Sequence, residues 1–323
     1  MTEVSLLDLA LIAPDETAGD ALAGVVEAAR RAEAGGYRRV WYAEHHNMEA
    51  IASSATSVVI AHVAAATERI RVGSGGIMLP NHSPLVIAEQ FGTLAALHPG
   101  RIDLGLGRAP GTDQRTWRAL RRDPAAAERF PDDVLELQGY LAGRSRVPGV
   151  TAIPGAGSEV PLYILGSSLF GARLAAVLGL PYAFASHFAP DALQQAVAVY
   201  RSEFQPSEQQ PDPHVIAGIN VIAADREEEA AELRTEVERQ RIARFLGRGR
   251  TFSSDELDAL VASPQGRQVA RMMTYSAVGS PSTLREQLVD FTRHADADEL
   301  MAAHPGPTAE HRLRSIDLLA DLI

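Results

Sequence analysis

Short apolar runs alternate with helical patterns along the whole chain, and this alternation limits the possible folds more than any other feature. Strands that are buried on both faces read as nearly continuous apolar runs. The candidate strands are Ser5–Ile12, Arg39–Ala43, Ile70–Ile77, Ile102–Gly107, Leu162–Leu165, Tyr182–Ala185, Val215–Ala223 and Glu299–Ala302. Eight strand–helix units in 323 residues predict an α/β fold of the (β/α)8 TIM-barrel type, in a single domain over residues 1–323.

Two connections are longer than the ordinary loops of a barrel. Ala109–Val160 follows the fourth candidate strand, and Arg248–Gly279 lies between the seventh and the eighth. We therefore predict insertions at these two places. Connections of this length commonly form lids or binding loops. A passive surface insertion is an equally good interpretation of either one.

Composition removes several kinds of chemistry. The chain has no cysteine, and its thirty basic residues are all arginine. Disulfides, thiolate nucleophiles, iron–sulfur clusters and Schiff-base chemistry are therefore excluded. The net charge of −11 argues against nucleic acid or an anionic membrane as a partner. No apolar stretch is long enough for a transmembrane helix and no signal-peptide pattern is present, so we expect a cytoplasmic protein.

Histidines follow several of the candidate strands. His45 and His46 come after the second strand, and His82, His187 and His304 follow the third, sixth and eighth. In a parallel barrel these strand ends meet at one face, where catalytic groups gather. Any one of these histidines could be structural, but five at one face predict an active site. A metal centre is disfavoured because the first strand ends without a ligand and carboxylates are scarce at the other strand ends.

Two glycine-containing turns indicate a site for an anion. Arg108 lies in GLGRAPGTD after the fourth candidate strand, and Gly166, Ser167 and Ser168 open a helix after the fifth. Arginine binds phosphate through charge-assisted hydrogen bonds, and the free N–H groups of a helix start also attract anions. Because the two turns follow adjacent strands, we favour one shared phosphate over two unrelated helix caps.

One predicted helix is apolar on nearly every side. The segment IASSATSVVIAHVAAAT, residues 51–67, has almost no polar face. A helix that is apolar all round must be covered on all sides, whereas the outer helices of a barrel normally face water. We therefore predict that a second copy of the chain covers this helix in a homodimer.

Taken together, these motifs resemble the luciferase-like family of flavin-dependent monooxygenases, and most closely its alkanal-monooxygenase-like branch. The similarity extends over nearly the whole chain and is strongest in WYAEHHN, GSGGIMLPNHSPL, AEQFGTLAALHPGRIDLGLGRAPGTD, LYILGSSLFGARLAA and VGSPSTLREQL. The resemblance implies a barrel that binds FMN as FMNH2 and uses O2, through a peroxyflavin, to oxidise a small, fairly apolar organic substrate such as an aldehyde. A separate flavin reductase would supply the FMNH2.

The resemblance also implies roles for residues near the flavin ring. His45 matches the histidine that lies beside the reactive edge of the flavin in luciferases, so His45, with the adjacent Glu44, is the catalytic candidate. Gly75 and Gly76 match a segment that passes under the isoalloxazine ring, often through a non-proline cis peptide bond. We therefore expect a cis bond between these two glycines.

Further positions match the phosphate end of the cofactor. Arg108 and Ser167 match residues that hold the FMN phosphate in the family, with Gly166 and Ser168 on either side of Ser167. Luciferase has a reactive cysteine where Gly107 stands here, which argues against light emission. We expect the remaining histidines at strand ends to line the substrate pocket: His46, His82, His187 and His304.

Two alternatives to the monooxygenase remain open. Related barrels use the deazaflavin F420 for hydride transfer in place of oxygen chemistry. A flavin-binding protein without turnover, acting as a reservoir or sensor, would have the same fold. The connection Arg248–Gly279 lies where luciferases have a mobile lid, so the resemblance gives it a gating role.

Overall fold

A closed parallel sheet forms the centre of the molecule. The computed structural model describes residues 2–13, 16–109, 111–247, 250 and 252–323. The strands in these ranges are β1 (Glu3–Asp8), β2 (Arg39–Tyr42), β3 (Arg71–Met78), β4 (Ile102–Gly107), β5 (Leu162–Gly166), β6 (Tyr182–Phe184), β7 (Val215–Ala223), β8 (Ser276–Gly279) and β9 (Glu299–Ala303). Their order is β6-β5-β4-β3-β2-β1-β9-β7-β8, and a further β6–β7 pairing closes a barrel from all strands except β8. The predicted (β/α)8 barrel is confirmed.

Helices surround this sheet. They are α1 (Ala18–Ala34), α2 (Thr56–Ala66), α3 (Pro84–Leu97), α4 (Gln114–Ala119), α5 (Phe130–Leu141), α6 (Leu169–Leu178), α7 (Leu193–Glu203), α8 (Glu227–Gly247), α9 (Ser254–Ala262), α10 (Pro264–Arg271), α11 (Pro281–Ala295) and α12 (Ala309–Ala320). Local sequence explains where several begin: α1 starts at a capping box between Thr17 and Asp20, and α3 starts with Pro84. Within the described residues, no helix is both long enough and apolar enough to span a membrane.

Both predicted insertions are present. The connection after β4 contains α4, a short 3-10 helix at Pro124–Glu128 and α5; its residue 110 lies outside the described residues. The connection after α8 contains α9, α10 and β8, and its residues 248, 249 and 251 likewise lie outside them. The strand β8 was not predicted. It pairs only with the last part of β7, from Asn220 to Ala223, beyond the closed barrel.

Two apolar cores lie on the two sides of the barrel wall. The larger fills the space between the sheet and the helices. The smaller lies inside the barrel, where Leu7, Trp41, Tyr163, Ile216 and Met301 pack with three alanines at the upper ends of strands. Burying a large apolar side chain contributes roughly 1.5–3 kcal/mol, so both layers favour the closed sheet. The small alanine side chains leave space inside the barrel near the C-terminal ends of the strands.

A buried ionic network fills the base of the barrel, where the strands begin. The Nη1 atom of Arg39 donates to Asp103 at 2.8 Å and to the Tyr163 hydroxyl at 2.7 Å. Its Nε atom lies 2.9 Å from Oε1 of Glu299, an electrostatic contact without the angle of a hydrogen bond. Burial opposes the charge on Arg39, but Glu299 and Asp103 raise the pKa of its guanidinium. The indole N–H of Trp41 also donates to Asp103, at 3.1 Å.

The apolar helix α2 has two different faces. Val59, Ile60 and Val63 are buried against the barrel. On the opposite face Val58 is 65% exposed in the single chain, and His62 is exposed beside it. The outer face, which carries Val58 and His62, is therefore left uncovered by this chain, and the predicted homodimer remains a prediction.

Candidate active site

A large cavity opens at the end of the barrel where the strands finish. Its volume is about 1490 Å³, and every one of the eight barrel strands contributes lining residues. A smaller cavity of about 450 Å³ lies at the base, beside Glu3, Arg38 and His214. Catalysis in (β/α)8 barrels takes place at the C-terminal ends of the strands, so the large cavity is the candidate active site.

His45 lies in the wall of this cavity, just beyond the end of β2. Its Nδ1 atom is buried and has no hydrogen-bond partner in the described part of the chain. Burial lowers the pKa of His45, and the negative charge of Glu44 only partly opposes that effect. The imidazole is therefore neutral at neutral pH, and it forms part of the cavity wall.

Glu44 is turned away from the cavity and organises the loops behind His45. Its carboxylate is 1% exposed. It accepts hydrogen bonds from Nε2 of His46 at 2.8 Å, from Nε2 of His82 at 2.9 Å and from the backbone N–H of Met78 at 3.0 Å. Burial alone would raise the pKa of Glu44, but the hydrogen bonds from these histidines bring it to about 2. Glu44 thus ties the loop after β2 to the loop after β3.

This arrangement differs from the prediction for three residues. Glu44, His46 and His82 do not line the cavity, whereas the prediction placed Glu44 in catalysis and both histidines in the substrate pocket. The physical reason is the buried charge on Glu44, because a buried carboxylate needs hydrogen-bond donors and the two imidazoles supply them. His45 is the neighbour that is left to face the cavity.

His187 and His304 do line the cavity, in different surroundings. Both ring nitrogens of His304 have partners. Nδ1 lies 2.8 Å from the Ser315 hydroxyl, and Nε2 lies 3.3 Å from the Tyr37 hydroxyl. Nδ1 of His187 is buried without a partner among the described residues. Burial lowers the pKa of each histidine to about 3, so both are neutral at neutral pH.

The peptide bond between Gly75 and Gly76 is cis, as predicted, and both glycines line the cavity. A Cβ atom on Gly75 would lie 2.9 Å from the Cβ of Trp41, and one on Gly76 would lie 2.7 Å from the carbonyl oxygen of Gly105. Only glycine fits at either position. This part of the cavity wall is consequently bare backbone, against which a flat ring could lie closely.

An anion site lies where β4 and β5 end. Gly107 pairs with Leu165, so Arg108 is next to the Gly166–Ser168 turn. The Arg108 guanidinium lies 4.1 Å from the ring centroid of Phe170, in the first turn of α6, and forms no ion pair within the described ranges. Ser168 occupies the N-cap position of α6 without a capping hydrogen bond from its side chain. Arg108, the free serine hydroxyls and the helix start together offer a phosphate several donors.

Sequence reasoning missed two polar residues of the cavity. Asn220 of β7 donates from Nδ2 to the carbonyl oxygen of His187 at 2.7 Å, while its buried Oδ1 has no partner among the described residues. Arg241 of α8 lines the cavity and has a buried Nη1 without a partner there. An asparagine inside the apolar run VIAGINVIA and the arginines of RQRIAR were the available signals.

Comparison with known proteins identifies the family to which this chain belongs. The profile of the luciferase-like monooxygenase family matches residues 2–298. The chain belongs to this family and is a monooxygenase-type enzyme with its (β/α)8 barrel. It is 48% identical to a luciferase-like monooxygenase of Escherichia coli (strain K12) over 325 residues, which cover 98% of this chain and 96% of that protein.

Two further relatives match over nearly their full length. The N-acetyl-S-alkylcysteine monooxygenase of Bacillus subtilis (strain 168) is 33% identical over 341 residues, covering 100% of this chain and 98% of that protein. The crystal structure of apo-MsnO8 has a TM-score of 0.89 and 34% identity, with 100% and 98% coverage.

More distant structures share the fold. The oxygenating constituent of 3,6-diketocamphane monooxygenase of Pseudomonas putida, in complex with FMN, has a TM-score of 0.77 at 18% identity. An F420-dependent secondary alcohol dehydrogenase, in complex with an F420–acetone adduct, has a TM-score of 0.72 at 16% identity. Each comparison covers 100% of this chain and 98% of the other. At these identities the likeness concerns the barrel alone.

Proposed function

We propose that this enzyme is an FMN-dependent monooxygenase that uses FMNH2 and O2 to oxidise a small, fairly apolar organic substrate, such as an aldehyde. One observation carries the proposal: a single cavity joins the Arg108 anion site, the bare Gly75–Gly76 backbone and His45. A pocket for one small molecule occupies roughly 300–1,000 Å³, so about 1490 Å³ leaves room for a substrate beside a cofactor.

The residues of the cavity fit FMN from its phosphate to its ring. Arg108, Ser167 and the start of α6 would hold the phosphate, and the Gly75–Gly76 backbone would support the isoalloxazine. When bound, reduced FMN supplies the electrons that activate O2. The chain itself binds and orients the cofactor, and the apolar lining excludes water from the reaction. The imidazole of His45, which lines the cavity, would hold or release the proton that the reaction requires.

The relatives support this class of substrate. The Bacillus subtilis relative is an N-acetyl-S-alkylcysteine monooxygenase, and its name gives an S-alkyl group. An alkyl group suits the inner wall of this cavity, which is lined by Leu7, Ile216 and Met301. We therefore propose that the oxidised atom belongs to, or lies next to, an apolar chain.

The experiment is a fluorescence titration of purified protein with FMN, FMNH2 and F420. We expect FMN or FMNH2 to bind and F420 to bind more weakly. Arg108→Gln should weaken FMN binding by roughly tenfold to a hundredfold, since a hydrogen bond to a charged group contributes about 1.5–3 kcal/mol. Arg173→Gln, which removes an exposed arginine of α6, is the matched control.

Three results would contradict the proposal or favour an alternative. Protein that binds neither form of FMN above background would refute it. Tighter binding of F420 would favour hydride transfer on the same fold. FMN binding with FMNH2 oxidation that stays uncoupled from every substrate would favour a flavin reservoir or sensor.

We also propose that the enzyme is a homodimer and receives FMNH2 from a separate flavin reductase. The exposed Val58 on α2, with Val86 and Leu97 on α3, supports a second copy as the cover. Val58→Arg should then convert a dimer into a monomer in sedimentation analysis. Wild-type protein that is monomeric at micromolar concentration would refute the dimer, and turnover with a nicotinamide donor but without added reductase would refute the second partner.

A further inference from the structure

The cavity carries more positive charge than a flavin phosphate requires. Its lining contains five arginines but only two carboxylates, Asp8 and Glu49. The chain as a whole has a net charge of −11, so this local excess runs against the overall balance. Arg108 belongs to the anion site at α6. The other four lie elsewhere on the cavity: Arg241, Arg244, Arg250 and Arg312.

Two of these four arginines lack a negative partner. Arg312 approaches Glu16 at 3.6 Å, and Arg250 approaches Glu256 at 3.3 Å. Arg241 and Arg244, one turn apart on α8, form no ion pair with any residue in the described ranges. Their neighbour on the same helix, Arg234, does pair, with Glu238 at 3.2 Å. Among the described residues of α8, the unpaired positive charge is therefore confined to the arginines that line the cavity.

Arg241 is the more deeply placed of the two. Its Nη1 atom is buried and has no hydrogen-bond partner in the described part of the chain. Burial, with Arg244 and Arg234 nearby, lowers the pKa of Arg241 to about 10, so it stays charged at neutral pH. A buried charge without a counter-ion is costly, and such groups are normally paired. Because Arg241 lines the cavity, an anion that enters the cavity would supply the opposite charge.

Arg241 also lies close to the candidate catalytic residues. Burial has the largest lowering effect on the pKa of His187. The charge of Arg241 lowers this pKa further, and His45 adds a smaller effect in the same direction. The ring of His187 packs over Gly218 of β7, where a Cβ atom would lie 2.4 Å from Nδ1. Arg241 and His45 thus both act electrostatically on His187, and all three line the same cavity. An anion bound to Arg241 would therefore share the cavity with His45.

We propose that Arg241, assisted by Arg244, binds the carboxylate of the substrate, so that the substrate is an organic acid with an apolar body. The pair lies on α8, whereas the phosphate site lies at the ends of β4 and β5. As an assignment of the substrate's charged end, this inference rests on the proposed monooxygenase function, but binding of the acid requires neither FMN nor turnover. The guanidinium presents paired N–H donors that match a carboxylate.

Calorimetry with octanoate and octanamide tests the inference on the cofactor-free protein. The two probes have the same chain length and nearly the same shape, and only octanoate carries a charge. We expect octanoate to bind at least about tenfold more tightly than octanamide, as a charge-assisted contact is stronger than a neutral one. Arg241→Gln should weaken octanoate by about that factor and leave octanamide unchanged. Arg226→Gln, at an exposed arginine just before α8, should change neither.

Further arms separate this site from the phosphate site. Arg241→Gln should bind FMN like the wild type, whereas Arg108→Gln should lose FMN affinity and keep the preference for octanoate. Arg244→Gln, at a more exposed position, gives a second variant should Arg241→Gln fail to fold, and should reduce the preference by a smaller factor. The inference is overturned if wild type binds the probes equally or binds no octanoate at millimolar concentration. Loss of FMN rather than octanoate in Arg241→Gln would assign Arg241 to the cofactor and overturn it as well.

Discussion

The two ends of the barrel differ in whether their buried polar groups have partners within the chain. At the base, Arg39 is surrounded by Asp103, Glu299 and Tyr163, and these charges satisfy one another. At the mouth, His45 and Arg241 each bury a polar atom that has no partner in the described part of the chain. Polar groups are buried at both ends, but only at the base does the buried arginine lie beside carboxylates of opposite charge.

This difference indicates that the base of the barrel serves stability and the mouth serves function. A buried polar group without a partner costs free energy, and native structures contain few of them. A cluster of such groups around one cavity indicates that a ligand completes them. At the base, the charge of Arg39 is already balanced by Asp103 and Glu299, so no ligand is needed to neutralise it. In barrels of this type the N-terminal ends of the strands serve stability and the C-terminal ends serve catalysis. Variants of each end should therefore affect different measurements.

The largest effect is expected from His45 at the mouth. His45→Gln should lower kcat by roughly 10²–10⁴, the usual contribution of a general acid or base, and should change the free energy of unfolding by less than about 1 kcal/mol. Product formation with FMNH2 and O2 gives the first quantity, and urea denaturation gives the second. His294→Gln, at an exposed histidine of α11 outside the cavity, is the control. A His45 variant with normal turnover would remove it from the mechanism.

The converse effect is expected from Arg39 at the base. Arg39→Met leaves two buried carboxylates, Asp103 and Glu299, without their shared cation. We expect the free energy of unfolding to fall by about 3–5 kcal/mol, as measured by urea denaturation. Arg38→Met, at the neighbouring and partly exposed arginine, should cost less than about 1 kcal/mol. Equal losses in the two variants would show that the network adds nothing beyond surface charge.

Lowering the pH should reduce the folding stability first through the histidines at the mouth and only later through the carboxylates at the base. His187 and His304 have a pKa of about 3 in the folded chain, against 6.5 when unperturbed. Between these values the unfolded chain binds more protons, so stability falls as pH falls below 6.5. Each histidine should cost about 2 kcal/mol between pH 6.5 and pH 5.

His304→Asn isolates this contribution. An asparagine amide can still donate toward Ser315 but does not titrate, so we expect about 2 kcal/mol less loss of stability over the same pH interval. Burial at the base opposes the charge of Glu299, but the hydrogen bond from His214 and the charge of Arg39 lower its pKa overall, so its charged form is favoured. Urea denaturation at pH 7 and pH 5 measures the difference. An unchanged pH dependence in the variant would contradict the low pKa of His304.

The smallest effect is expected from Tyr163→Phe at the base. The substitution removes the hydroxyl that accepts from Arg39 but keeps the ring, which lies 5.1 Å from the guanidinium. We expect a loss of about 1 kcal/mol in unfolding free energy, with turnover unchanged. Tyr275→Phe, whose hydroxyl contacts the exposed His294, provides the comparison. A change in turnover for Tyr163→Phe would show that the two ends are coupled.

The sequence predicted the barrel well because its signals are local. Each barrel strand is an apolar run, and glycines and histidines mark where the strands end. The cis bond between Gly75 and Gly76 came from the family resemblance and is confirmed. By contrast, the four-residue strand β8 depends on the extension of β7 beyond the barrel. Nothing in the short run SAVG reveals that pairing.

Side-chain direction at the mouth was the harder problem. Alternation along a strand tells which side a residue faces, but it ends where the strand ends. His45 and His46 lie beyond that point, and the buried charge of Glu44 decides which of them turns inward. The base network is equally remote from local pattern, because Arg39 and Glu299 lie 260 positions apart. The charged residues at the starts of apolar strands were the signal that could have revealed it.

The position of Trp41 gives the protein an optical reporter of its own. Its indole N–H is fixed to Asp103 below, and its ring lines the cavity above. The chain has two tryptophans, and the other, Trp117, belongs to α4. In a Trp117→Phe background, the emission spectrum would come from one ring in the cavity floor. Entry of a cofactor, an acid or water could then be followed in real time as quenching or a wavelength shift, without any attached dye.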